Sequence, residues 1–314
     1  MNDNAMVILA LCSHLCVEEP LRPLELREWN ALAKSLAEHG LEPRSILDLS
    51  EREREDVLFV DRENSERISR LLDRSASLIF ALNKLNNSGI FVVTRAEPSY
   101  PQRLKKLLGN SSPALFYYAG DLCLLDKPAI GYAGSRSASE KDIQFTVRTV
   151  QKTVSKGFFV VSGGAKGIDA TAEETALNMG SCAISFLSDS MLRKIKRPAV
   201  LKSVQEKKML LLSSVNPDAG FQAGTAMMRN RYIYAHSVCT VIVRSDYNKG
   251  GTWSGATENL RHRWSATLCW NNPQYDGNRA LIQKGAIPLD ESWDGNPSTL
   301  PPTDSEAEQL SLFS

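Results

Sequence analysis

Six short apolar runs recur between Ala129 and Trp270, and a stretch with helical features or turn glycines separates each run from the next. They are Ala129–Ala133, Phe158–Val161, Cys182–Leu187, Met209–Ser213, Cys239–Val243 and Ala266–Trp270. Continuous apolar strands alternating with helices are buried on both faces, which is the pattern of a parallel sheet with crossover helices. The first connection carries the argument in detail. Ser139 with Asp142 reads as a capping box, Ile143, Val147, Val150 and Val154 fall at helical spacing, and Gly157 stops the helix. That is a βαβ unit. Its repetition predicts an α/β fold with an open, doubly wound, mostly parallel sheet, in which ligands sit outside the carboxyl ends of the strands.

The rest of the chain has a different texture. Residues 1–85 show helical patterns at Leu24–His39, Ser50–Leu58 and Arg62–Asn86 and no strand-like alternation, so they are expected to form a small helical N-terminal domain of SAM-like type. The α/β domain is expected over residues 86–289. Residues 290–314, acidic and almost without apolar side chains until the last five positions, are expected to be a disordered tail. Charge follows the same division. The first 85 residues hold 11 basic against 16 acidic side chains, the tail holds none against 6, and residues 86–289 hold 26 against 14, a net +12 hidden in a chain whose overall balance is +1. A basic middle fits a polyanion site as well as a lysine-covered solvated surface.

No apolar run approaches the roughly 20 residues of a membrane helix, and Met6–Cys12 is short and lacks a basic flank. No membrane contact and no secretory signal are expected, which places the chain in the cytoplasm. The six cysteines lie scattered in apolar stretches, as small reduced hydrophobes would. Cys12, His14 and Cys16 lack a second ligand pair, so no metal is expected, and no cofactor either.

Chemistry concentrates in the turns. Gly134-Ser135-Arg136 follows the first strand directly. It suits a phosphate clamp, with backbone close to the anion, a hydroxyl donor and a guanidinium, and equally a tight β-to-α connection whose arginine points into solvent. The next turn, Ser162-Gly163-Gly164-Ala165-Lys166-Gly167, has three glycines in five positions and a helix behind it, the make-up of an anion cradle. Asp169 is expected to cap that helix. Arg229-Asn230-Arg231 precedes the strand at Cys239. Gly250-Gly251-Thr252-Trp253-Ser254-Gly255-Ala256-Thr257-Glu258 opens another helix after it.

The order Tyr100-Pro101-x-x-Leu104, Pro113 to Gly120, Gly134-Ser-Arg136, Ser162 to Asp169, Arg229-Asn-Arg231 and Gly277-Asn278 to Ala286 resembles the DNA-processing A (DprA/Smf) family over about two-thirds of the chain. The resemblance implies an extended Rossmann-like fold that binds single-stranded DNA as a homodimer, without reading sequence, and helps load a RecA-type recombinase during natural transformation. It implies no catalytic activity. Carried onto this chain, it assigns the nucleic-acid pocket to Ser135, Arg136, Gly163 to Lys166, Arg229 and Arg231. The basic run Arg193, Lys194, Lys196, Arg197, Lys202, Lys207 and Lys208 would extend the groove, with Tyr132 or Trp253 offering a face for stacked bases. A histidine is usual in the family where this chain has Glu173.

Two further readings come from the same residues. The Gly250–Glu258 turn resembles the Gly-Gly-x-Gly-Thr-x-x-Glu turn of Rossmann proteins that cleave nucleoside monophosphates. It makes Glu258 the candidate acid or base of an alternative role as sensor or hydrolase of a nucleotide-derived small molecule, for instance in phage defence. Gln309-Leu310-Ser311-Leu312-Phe313 resembles the peptide by which bacterial DNA repair and replication proteins dock on the polymerase sliding clamp, with Leu310, Leu312 and Phe313 filling apolar pockets and Gln309 at the rim.

Overall fold

A computed structural model gives the structure of residues 1–300, so the peptide Gln309, Leu310, Leu312 and Phe313 lies outside the described residues. The chain divides into two compact units, one of residues 1–119 with 213–219, the other of 120–212 with 220 onward.

The first unit begins with five helices: α1 (Asp3–Cys12), α2 (Leu26–Glu38), α3 (Glu51–Leu58), α4 (Arg62–Leu72) and α5 (Ser75–Asn87). The strand β1 (Phe91–Thr94), helix α6 (Gln102–Leu108) and strand β2 (Leu115–Ala119) complete it, β1 and β2 pairing antiparallel. The helices bury Ile8, Leu9, Leu11, Leu36, Ile46 and Leu71 among one another. The expected single helix Arg62–Asn86 is two. Arg74 interrupts it because its buried guanidinium donates to the carbonyls of Leu71, Leu15 and Ala10, contacts that a continuous helix would not orient.

The second unit is the α/β domain. Its elements are β3 (Ala129–Ala133), α7 (Glu140–Ser155), β4 (Phe159–Ser162), α8 (Ile168–Asn178), β5 (Ala183–Leu187), α9 (Met191–Ile195), α10 (Pro198–Gln205), β6 (Met209–Ser213), α11 (Ala223–His236), β7 (Cys239–Ile242), α12 (Gly250–His262), β8 (Ala266–Trp270), α13 (Asp276–Gln283) and β9 (Ile287–Leu289). The strands run in the order β6-β5-β4-β3-β7-β8-β9. β4 and β7 flank β3, β5 lies on β4, β8 on β7 and β9 on β8, all parallel. The sheet is therefore doubly wound and Rossmann-like. From β3 the chain winds outward one way through β6, then resumes beside β3 at β7 and winds outward the other way. The reversal leaves a crevice beyond the carboxyl ends of β3 and β7, where ligands of such sheets bind.

The six strands read from the sequence all form, within a residue of their expected ends. The Ser139–Asp142 capping box forms as expected. β9 is three residues long with a central proline, which a sheet edge tolerates and which gives no apolar run to read. One face of the sheet buries Ile130, Tyr132, Val160, Val241 and Leu268 against Phe145, Val150, Ile168 and Ala172 of α7 and α8. Phe145 stacks on Trp270 with ring centroids 4.1 Å apart. Among the described residues no helix is long and apolar enough to cross a membrane.

Candidate functional site

The turns after β3 and β4 are built against each other. A Cβ on Gly134 would stand 2.6 Å from Ile168 Cγ1. Gly167 has φ +77°, and a Cβ there would meet the backbone oxygens of Ser135 at 2.4 Å and Arg136 at 2.9 Å. Only glycine permits both the conformation and the approach. Ser162 faces inward, its hydroxyl donating to the Tyr132 carbonyl at 2.7 Å and tying β4 to β3.

The glycine turn encloses charges of its own. The Gly164 amide, expected to face an anion, donates to the buried carboxylate of Glu173 at 2.9 Å. Lys194 donates to the Gly164 carbonyl at 3.1 Å and lies 4.0 Å from the same carboxylate. Burial holds the Glu173 carboxyl above its ordinary range, although Lys194 and the Gly164 amide favour its ionised form. A group shifted this way gives stability that is present below its ordinary pKa and lost as pH rises through the folded value. The same ionisation places a negative charge behind the turn. At pH values where Glu173 is ionised, Glu173→Gln is therefore expected to raise oligonucleotide affinity by about two- to fivefold, the effect of removing one screened like charge. It should also flatten the gain in affinity that the unaltered protein shows as pH falls toward the Glu173 pKa. Titrations at several pH values, in which the variant keeps the full pH dependence, would refute this.

Arg229, on α11, is buried at 5% exposure and packs against Gly163, where a Cβ would overlap its guanidinium. Its Nη1 lies 3.5 Å from Asp169 Oδ2. Asp169 is the second residue of α8, and Gly167 occupies the cap position. The expected capping role is thus corrected: Asp169 balances a buried arginine instead.

Two hollows open over these turns. One, of about 490 Å³, lies at the β3/β7 crevice and is lined by Gly134, Ser135, Arg136, Arg229, Arg244 and the start of α12, among others. The other, of about 560 Å³, is lined by Gly163, Gly164, Lys166, Glu173, Lys194 and Arg197, among others. Arg136, Ala165, Phe221 and Arg229 line both. Phe221 is half exposed, and the Arg136 guanidinium sits 4.6 Å above its ring. A cation and an aromatic face thus share the rim.

Tyr132 and Trp253, the aromatics expected to stack bases, do not reach this rim. Tyr132 is fully buried with its hydroxyl 3.0 Å from that of Thr153, and Trp253 packs edge-on to Tyr247. Of the expected basic residues, Arg193, Lys196, Lys202, Lys207, Lys208 and Arg231 line neither hollow. Lys202 pairs with Glu206. Arg231 pairs with Glu258 at 2.9 Å, and Arg261 approaches the same carboxylate at 3.9 Å, so Glu258 is held between two arginines. Phe221, Arg244 and Lys249 are among the lining residues that belong to none of the motifs. Phe221 stands out in the sequence as one aromatic in a small polar loop, and Arg244 follows a strand end.

The model of the DNA recombination-mediator protein A family matches residues 91–294. Among curated proteins, DNA processing protein DprA of Bacillus subtilis is 27% identical over 63% of this chain and 67% of its own length. DprA of Streptococcus pneumoniae is 27% identical over 60% and 66%, and protein Smf of Escherichia coli 26% over 61% and 52%. The chain thus spans about half to two-thirds of these relatives' lengths. The solved structure of S. pneumoniae DprA superposes with a TM-score of 0.70 at 20% identity, covering 92% of this chain and 95% of that one. DNA processing protein A of Helicobacter pylori, which binds single-stranded DNA, superposes with a TM-score of 0.53 at 25% identity, covering 65% and 92%. With the matched segment taking in both turns, Arg229 and Arg244, the chain belongs to the DNA recombination-mediator protein A family, also called DprA or Smf.

Proposed function

We propose that the chain binds single-stranded DNA without reading its sequence, and that it serves DNA uptake, recombination or repair by delivering the strand to a RecA-type recombinase. The observation that carries the reading is the rim where Arg136 lies over Phe221 between two basic hollows. Backbone phosphates need cations and unpaired bases need aromatic faces, and neither need depends on which base is present. The single-stranded DNA bound by the H. pylori relative agrees with this. Oligonucleotides of unrelated sequence should bind with similar affinity, and log K should fall steeply against log salt. Absence of binding at low salt would overturn the reading.

In this proposal the protein acts in the cytoplasm as a homodimer. The tail peptide, with Gln309, Leu310, Leu312 and Phe313, docks it on the polymerase sliding clamp. Deleting Gln309–Ser314 is expected to abolish co-elution with the clamp while leaving oligonucleotide affinity within about twofold, because the peptide is sequentially remote from the basic turns. Co-elution that survives the deletion would remove the clamp from the proposal.

A further inference from the structure

The loop after β7 holds an aromatic ring out beside the crevice hollow. Tyr247 is 63% exposed, while Trp253 is buried behind it, with ring centroids 5.2 Å apart and planes at 68°. A lone exposed apolar side chain is ordinary on a protein surface. A ring that the fold already holds still is different, because a ligand that meets it has little left to order.

Three features hold this ring. Asp246 and Lys249 pair as an antiparallel bridge around Tyr247 and Asn248, and Asn248 closes the turn at φ +52°, a left-handed conformation that asparagine tolerates. The stem of the loop is fixed by the fully buried Asn278, whose Oδ1 accepts from the Ser245 amide at 2.8 Å while its Nδ2 donates to the carbonyls of Val243 and Trp270 at 3.0 Å. Gly277 lets α13 close on the same stem, since a Cβ there would overlap the Ser245 carbonyl. The ring itself is braced by Trp253, and its exposure leaves a face open.

The position of the loop along the sheet gives that face a use. Phe221 lines both hollows, the second of which is walled by α8, α9 and α10 on the β4 side of β3. Asp246 and Lys249, on either side of Tyr247, line the crevice hollow, and the stem of their loop packs on α13, which follows β8. A strand laid across the carboxyl ends of β4, β3 and β7 therefore passes Phe221 and then comes to Tyr247. Lys249 is exposed and enters no ion pair among the described residues, so a cation for the backbone stands close to the ring.

We propose that Tyr247 is a second stacking face, on which an unpaired base of the bound strand rests at the β7 side of the crevice, with Trp253 keeping the ring in place. The proposal rests on the single-strand reading and adds to it the direction that the strand takes across the sheet.

The test uses the full chain with two 20-mers at low salt, one of thymidine and one of abasic sugars joined by the same phosphates. Tyr247→Ala should bind the thymidine 20-mer about tenfold more weakly, the effect of one lost base-on-ring stack. The slope of log K against log salt should match that of the unaltered chain, because no phosphate contact is removed. Tyr247→Trp should restore affinity, and Tyr247→Leu, which keeps apolar bulk but has no flat face, should not. On the abasic 20-mer the unaltered chain and Tyr247→Ala should bind alike. An unchanged affinity of Tyr247→Ala for the thymidine 20-mer would overturn the proposal and leave strand binding intact. A loss of equal size on both 20-mers would overturn it as well, because the side chain would then act on the fold and not on a base, and so would a leucine that restores binding as fully as tryptophan. If the unaltered chain bound neither 20-mer, the single-strand reading itself would fall, and this proposal with it.

Discussion

Arg136→Ala is expected to weaken binding of a single-stranded oligonucleotide by about 10- to 100-fold. The range is the loss of one charge-assisted contact to phosphate, about 1.5–3 kcal/mol. Arg136 is exposed and enters no ion pair among the described residues, so the loss is not mixed with a loss of fold. It lines both hollows and stacks on Phe221, so its removal takes a cation from each and frees the ring it covers. A phosphate contact also leaves a signature that general damage does not. The slope of log K against log salt should become shallower by about 0.7, the share of one neutralised phosphate on a single strand. Lys202, equally exposed but paired with Glu206 outside both hollows, is the matched control and should change affinity less than about twofold on replacement by alanine. Fluorescence anisotropy over a salt series decides it: an unchanged Kd for Arg136→Ala would remove the shared rim from the binding reading.

How far such a site could be read from sequence depends on whether its signal is local. The strands and the Ser139 cap were legible because burial on both faces leaves unbroken apolar runs, and because a capping box is complete within four residues. The glycine turns were legible for a related reason: φ +64° at Gly164 and +77° at Gly167 favour glycine in place. Strand order is not local. Nothing near Arg244 records that β7 lies beside β3, and without that neighbour its place in the crevice has no sequence mark. Partner choice inside the fold is hidden likewise. Glu173 looked like a departure in a helix, yet it accepts the amide that the turn had seemed to offer a phosphate. Arg74 looked like one more polar position in a long helix, yet its guanidinium reaches carbonyls some 60 residues earlier and breaks the helix there. Tyr132 failed as a stacking face because β3 is buried along both of its faces, so its ring packs into the core instead of reaching the rim.

The packing of the two turns makes Gly167→Ala the change with the largest expected effect on the fold. Gly167 adopts φ +77° with ψ −128°, a region that side-chain-bearing residues enter at a cost of about 1–3 kcal/mol. The added Cβ would also meet the Ser135 oxygen at 2.4 Å, and that atom is backbone, so no rotamer change can relieve it. Together these should cost at least about 3 kcal/mol, lowering Tm by roughly 6–12 °C in a unit of this size. Gly157→Ala separates the two causes. Gly157 also has positive φ, +87°, but a Cβ there meets nothing within 4 Å, so it should lose only the conformational share, about 1–2 kcal/mol. The excess in Gly167→Ala then measures the contact between turns. It must be relieved by moving Ser135 and Arg136, whose oxygens are the two atoms struck, away from α8. Affinity for single-stranded DNA should therefore fall about as far as in Arg136→Ala even at temperatures where Gly167→Ala remains folded. If calorimetry finds the two glycine variants equally destabilised, or folded Gly167→Ala binds with unchanged affinity, then the close approach of the turns is not what holds Arg136 at the rim.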